Sequence, residues 1–267
     1  MKKLPIPIWF RFAAAVGMSL APCYGALNLP PVLQGIGIEQ RLNSALPLDT
    51  EFRDETGASV PLRKYFGARP VLLAPVYYRC PMLCSQILSG VVAGLRPLSL
   101  QPGRDFDVVV FSFNPDETAA DAAAKRDFYT RRYSRRAGTA GWHFLTGSQA
   151  SIDAVTKAIG FHYRRDPQSG MFIHASGVMI VTPEGRLARY LYGVEYQPKD
   201  LKLALMEASH NRIGTRVDQV LLFCYHYDPS TGKYTLVVLN LLKGVASLTV
   251  IGGALALMLL WRGERKS

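Results

Sequence analysis

Cysteine, histidine and acidic side chains are all scarce in this chain. Of 267 residues, 4 are cysteine, 5 are histidine and 20 are Asp or Glu, against 31 Lys and Arg. Cys23 falls in a leader-like segment and Cys224 just ahead of a long apolar run. One pair, Cys80 and Cys84, is left for the body, which excludes a framework of several disulfides. No internal repeat is visible, so a solenoid is excluded as well. The length suffices for one well-cored domain with appendages, or at most two small ones. Long apolar runs are missing from the middle of the chain and crowd at its ends, so targeting has to be settled before the fold.

Residues 1–25 carry Lys2, Lys3 and Arg11, a short apolar stretch through Leu20 and small residues near Gly25. This is the layout of a secretory signal, too short to span a bilayer comfortably. Leu20-Ala21-Pro22-Cys23 is a near-lipobox, which leaves lipoprotein processing at Cys23 as the alternative, although Pro22 spoils the motif. At the other end, Gly244–Trp261 carries no charge and Leu236–Leu242 extends it. Residues 236–261 therefore predict a transmembrane helix, with Lys243 snorkelling near its end. Arg262, Arg265 and Lys266 follow at once and put the tail, 262–267, on the cytoplasmic side. The expectation is a single-pass protein of the inner membrane, touching lipid through 236–261, with its main domain on the periplasmic side. Nucleic acid is then excluded as a partner. The ends account for about five of the eleven net positive charges, and Arg131-Arg132, Arg135-Arg136 and Arg164-Arg165 hold much of the rest. They read either as a face for anionic lipid or an acidic partner, or as a solvated helix face.

Between the ends, residues 26–44 read as an irregular linker, 45–212 as the domain and 213–235 as a membrane-proximal segment. Leu48–Tyr65 fits a hairpin turning at Glu55-Thr56-Gly57. Val71–Tyr77 and Asp107–Phe113 are short buried strands. Leu83, Ile87, Leu88, Val91, Val92 and Leu95 recur at helical spacing. Glu117–Tyr133 predicts a second helix, Trp142–Thr146 a strand, and Ser148 to Gly160 a capped and stopped helix. His174–Thr182 and Arg186–Tyr192 read as strands joined at Pro183-Glu184-Gly185. Pro198–Asn211 is the last helix, with Leu201, Leu205 and Met206 on one face. Alternating strands and helices predict an α/β layered domain. A cysteine pair after the first central strand, with a closing hairpin and helix, is the thioredoxin-like arrangement.

A disulfide across so short a ring would be a weak staple. Placement after a buried strand and at a helix start favours stabilised thiolates instead. Thiol–disulfide exchangers of this fold usually have two residues between the cysteines; three put the sulfurs one helical turn apart on one face, where both can face an ion. Soft thiolates select Cu(I) or Zn, and a third ligand such as imidazole is then needed. His143 and His162 sit in aromatic contexts and His210 at a polar helix end. His174 begins a strand whose entry loop faces the cysteine loop in a thioredoxin-like sheet.

The run Tyr77-Tyr-Arg-Cys80-Pro-Met-Leu-Cys84 resembles the signature of the Sco/SenC family. His174, followed by strand, Pro-Glu-Gly turn and strand, is similar to that family's histidine segment, as is Phe144-Leu-Thr-Gly147-Ser to another. The resemblance spans roughly residues 45–210. It implies one copper ion per chain, held by Cys80, Cys84 and His174. It also implies a role in assembling the binuclear copper centre of cytochrome c oxidase, as metallochaperone, as thiol reductase through Cys80 and Cys84, or both. The implied partner is the copper-bearing oxidase subunit or another copper chaperone. In the reductase reading Cys80 is the nucleophile. A peroxidase of this fold is disfavoured, because the Pro-x-x-x-Thr-x-x-Cys pattern is missing. Two departures stand out. Where the family has an aspartate before the proline of a DPxxDT-like stretch, this chain has Asn114-Pro115-Asp116-Glu117-Thr118, with Asp116 available to substitute. The anchor is C-terminal rather than N-terminal, and Phe223-Cys224-Tyr-His226 resembles relatives anchored that way. Cys224 and His226 could form a soft-ligand pair, or be an incidental thiol beside the membrane.

Overall fold

The computed structural model describes residues 35–80, 83–134, 136–213, 227–228, 233–234, 243–254, 258 and 261. The expected signal, Cys23, Cys224, His226 and the tail 262–267 lie outside the described residues, as do Pro81 and Met82 and the side chains of Leu83 and Cys84.

In chain order the elements are β1 (Gly37–Ile38), β2 (Glu51–Arg53), β3 (Ser59–Pro61), β4 (Val71–Val76), α1 (Leu83–Leu95), β5 (Asp107–Ser112) and α2 (Ala119–Tyr133). There follow β6 (Trp142–Leu145), α3 (Gln149–Ala158), β7 (Phe161–Arg165), β8 (Phe172–His174), β9 (Gly177–Val181), β10 (Leu187–Tyr192) and α4 (Pro198–Ser209). Five strands form the central sheet in the order β10-β9-β4-β5-β6. β4, β5 and β6 run parallel, β9 runs antiparallel to β4, and β10 runs antiparallel to β9. Every residue of β4, β5 and β9 is buried, as expected for strands covered on both faces. This is a mixed α/β fold of the thioredoxin-like kind, as the alternation of elements predicts.

Local chemistry accounts for the boundaries. Thr118 caps α2: its hydroxyl accepts from Asp121 N–H at 3.4 Å, and the Asp121 carboxylate accepts from Thr118 N–H at 2.8 Å. Ser148 caps α3 by accepting from Ser151 N–H at 3.2 Å. Gly160 follows that helix at φ 63°, which glycine adopts without strain. The hairpin forms as β2 and β3, closed by the Asp54 carboxylate on Thr56 N–H and Ala58 N–H.

Three readings change. The stretch from His174 to Thr182 is not one strand, since β8 ends at His174 and β9 begins at Gly177. Pro75 helps explain where β9 stops following β4. It has no N–H to give to a ladder, and the β4–β9 pairing covers only Val71–Leu73. β8 instead pairs with β7, whose other side takes β1, giving a second small sheet β1-β7-β8. Gly37–Ile38, in the stretch read as irregular, is therefore part of that sheet. Finally, Met206 is exposed, and Ala204 and Ala208 join Leu201 and Leu205 on the buried face of α4.

Residues 243–254 are helical, with Val245, Leu248, Val250 and Ile251 exposed. Among the described residues no helix is long and apolar enough to cross a membrane.

Candidate metal centre

Cys80 lies at the carboxyl end of β4, where the chain leaves the central sheet, and is buried. Its N–H donates to the Tyr77 carbonyl at 3.4 Å. Cys84 falls in the first turn of α1, but Cys80 precedes that helix. Residues 81–82 and the Cys84 side chain lie outside the described residues, and with them the expected one-turn spacing of the two sulfurs.

The approach to Cys80 is pinned at each residue. Tyr78 sinks its ring into the core, and its hydroxyl donates to the Leu145 carbonyl at 2.7 Å, with that of Val110 at 3.2 Å. Burial holds this phenol well above its ordinary pKa, so it stays a neutral donor. The backbone N–H groups of Tyr78 and Arg79 both donate to the buried carboxylate of Glu117, at 2.7 and 2.6 Å. The Arg79 guanidinium takes Asp121 in a two-pronged pair, at 3.1 and 2.7 Å. That hydrogen bond holds the Asp121 carboxyl well below the usual carboxylate range.

His174 ends β8 opposite Tyr163 of β7. The turn before β8 is closed by the Asp166 carboxylate, which accepts from Ser169 N–H at 3.2 Å and from its hydroxyl at 2.5 Å. His174 Nδ1 lies 2.8 Å from the Ala175 carbonyl oxygen, which can only accept. A neutral ring held this way carries its proton on Nδ1 and keeps its lone pair on Nε2. Aromatic rings surround the imidazole. Phe113 stands at 5.1 Å between centroids, Tyr77 at 6.0 Å edge-on and Phe161 at 6.1 Å. Tyr77 also meets Phe113 at 5.5 Å and Phe172 at 5.3 Å. Tyr77 is thus a link between two of the three predicted ligands: three residues before Cys80 in sequence, and against His174 in space.

The other histidines behave as their contexts predict. His143 packs on Tyr65 at 4.6 Å, and burial lowers its pKa. His162 is half exposed beside Glu39, and His210 is exposed at the end of α4. Asp116 does not take the place of the missing aspartate, for it faces solvent and pairs with Arg165 at 3.2 Å. Asn114 is buried and uses its side-chain oxygen to accept from Asp116 N–H. The buried carboxylate of this loop is Glu117, which the sequence reading did not single out as functional. Phe113, at the end of an obvious apolar strand, was equally unmarked. Among the described residues no group of three or more His, Cys, Asp and Glu side chains stands ready to hold a metal ion, the Cys84 side chain not being one of them.

Several solved structures share this fold. A protein from Aquifex aeolicus VF5 is 26% identical, with TM-score 0.55, over 64% of this chain and 95% of its own. A SCO1/SenC family lipoprotein from Bacillus anthracis is 17% identical, with TM-score 0.53, over 65% and 99%. ScoI of Arabidopsis thaliana, solved with copper bound, is 17% identical, with TM-score 0.50, over 64% and 99%. No curated protein is significantly similar in sequence. The SCO1/SenC family model matches residues 40–208, well over half of the chain, and on that match the chain belongs to the SCO1/SenC family.

Proposed function

We propose that this protein is a copper metallochaperone that helps assemble the binuclear copper centre of cytochrome c oxidase, taking one copper ion per chain through Cys80, Cys84 and His174. The observation that carries this reading is the Tyr77 bridge, which ties the Cys80 loop to the His174 ring. Two soft thiolates and a neutral imidazole suit Cu(I), and two sulfurs alone leave it short of a ligand. Copper bound to the Arabidopsis relative is consistent with the same cargo here. The acceptor is the copper-bearing oxidase subunit or another copper carrier, reached by ligand exchange. The exposed apolar helix at 243–254 supports a C-terminal anchor over 236–261, with the domain of residues 45–212 on the extracytoplasmic side of the inner membrane.

The test is copper stoichiometry and affinity on reduced protein. Wild type is expected to bind one copper ion, and His174→Ala to bind at least tenfold more weakly. If His174→Ala binds as wild type does while Cys80→Ser abolishes thiol exchange with an acceptor dithiol, the protein is an oxidoreductase that keeps acceptor cysteines reduced.

A further inference from the structure

Glu117 is a charge kept inside the protein for the benefit of a backbone. Its residue is 6% exposed. One carboxylate oxygen accepts from Tyr78 N–H at 2.7 Å and from the Ser112 hydroxyl at 2.5 Å, and the other from Arg79 N–H at 2.6 Å. Burying a carboxylate is costly unless its oxygens are satisfied, and three charge-assisted bonds satisfy them. None of these three donors is a cationic side chain, and the nearby guanidinium of Arg79 is turned to Asp121.

The choice of donors is what matters. The β4–β5 ladder ends at Val76 opposite Ser112, and Phe113 N–H closes on the Val76 carbonyl. Past that point Tyr78 and Arg79 have no strand beside them on the β5 side. Glu117 takes the place of that strand, and it is presented by a tight turn in which its own N–H reaches the Asn114 carbonyl at 3.3 Å. Ser112 closes the arrangement by accepting from Asn114 N–H at 3.0 Å while giving its proton to Glu117. The loop after β5 is thereby locked to the two residues that precede Cys80.

We infer that Glu117 is a positioning residue for the Cys80 thiol. It holds the backbone from which the sulfur is presented, so the loop need not be ordered when a ligand arrives. The inference rests on the copper reading of the site only for the identity of that ligand. Outer partners of this kind commonly alter metal affinity 10–100-fold when removed. In Glu117→Gln, size is kept but one oxygen becomes an NH2 group, so one of the three donors faces another donor. In Glu117→Ala, both backbone N–H groups lose their acceptor.

The experiment uses the full chain in detergent, with four measurements on each variant. These are Cu(I) affinity by chelator competition, the sulfur-to-copper charge-transfer spectrum of the Cu(II) form, the alkylation rate of Cys80 in metal-free protein, and the urea midpoint. Leu46→Ala serves as a purely structural comparison. Leu46 is buried and bonds to Gly185, in the turn at the opposite end of the sheet from Cys80. Expected for Glu117→Gln are an affinity loss of about tenfold or more, a shifted spectrum and faster alkylation of Cys80, with Leu46→Ala changing only the midpoint. The inference is overturned if folded Glu117→Gln and Glu117→Ala match wild type in affinity, spectrum and alkylation. It is equally overturned if Leu46→Ala, at matched destabilisation, reproduces their changes. Should wild type bind no copper while Glu117→Gln still accelerates alkylation, the copper reading fails and the positioning role stands.

Discussion

Alanine at position 90 sets two effects of similar size against each other. Gly90 lies in α1, and in an exposed helix alanine would be favoured by about 1 kcal/mol. A Cβ built there stands 1.8 Å from the Val194 carbonyl oxygen and 2.9 Å from its carbon. Both are main-chain atoms of the loop between β10 and α4, so no side chain can rotate away. Gly94, one turn on, meets the same loop at Tyr196 O, 2.6 Å away, and α4 at Leu201 Cδ1, 2.5 Å away. Relieving the first contact requires α1 or the loop to retreat by roughly 1 Å, and overpacking of this kind costs about 1–3 kcal/mol. Because main-chain atoms must move, the clash falls at the upper end of that range, and Gly90→Ala should be destabilised by up to about 2 kcal/mol net of propensity. With a urea slope of about 1–3 kcal/mol/M, a loss of about 2 kcal/mol lowers the midpoint by about 0.7–2 M. Urea titration followed by far-UV circular dichroism measures it. An unchanged or raised midpoint would refute the close packing of α1 on this loop. Because α1 carries Cys84 in its first turn, the same variant should also weaken copper binding.

Two further perturbations test the surroundings of His174 and the far end of the sheet. Phe113 is fully buried and touches Tyr77, Phe161, Tyr163, Phe172 and His174, so Phe113→Ala should cost about 3–5 kcal/mol, and Phe113→Leu clearly less, by calorimetry or urea titration. Burial holds His143 below the ordinary histidine value of 6.5, so the unfolded chain takes a proton before the folded one does. Stability should therefore decline as pH falls below about 6.5 towards the folded pKa, and His143→Phe should flatten that decline in urea midpoints taken from pH 5 to 7.5.

The central sheet was legible because its strands are uninterrupted apolar runs and its helices repeat at 3.6 residues. β4, β5, β6 and α1 fall within a residue or two of where the pattern puts them. The small sheet was not. β7 reads Phe-His-Tyr-Arg-Arg with only Phe161 buried, β8 is three residues long, and their partner β1 lies more than 120 positions earlier. Nothing in so short and polar a run announces a strand, and the apolar run of β9 drew His174 into the wrong one. Glu117 was hidden for a different reason. A carboxylate that bonds only to N–H groups and a hydroxyl leaves no complementary charge in the sequence to point to it.

β8 pairs with β7 on one side and with nothing on the other among the described residues. His174 therefore ends an edge strand of three residues, while Cys80 follows the central strand of a five-stranded sheet. The two halves of the site are anchored with very different firmness. Freeing the histidine disturbs a short fringe of the molecule, whereas freeing the cysteine loop would disturb its middle. In the proposed role of a copper carrier, the expected order of release follows from that asymmetry: the imidazole leaves first, and the thiols hold until an incoming ligand has taken its place.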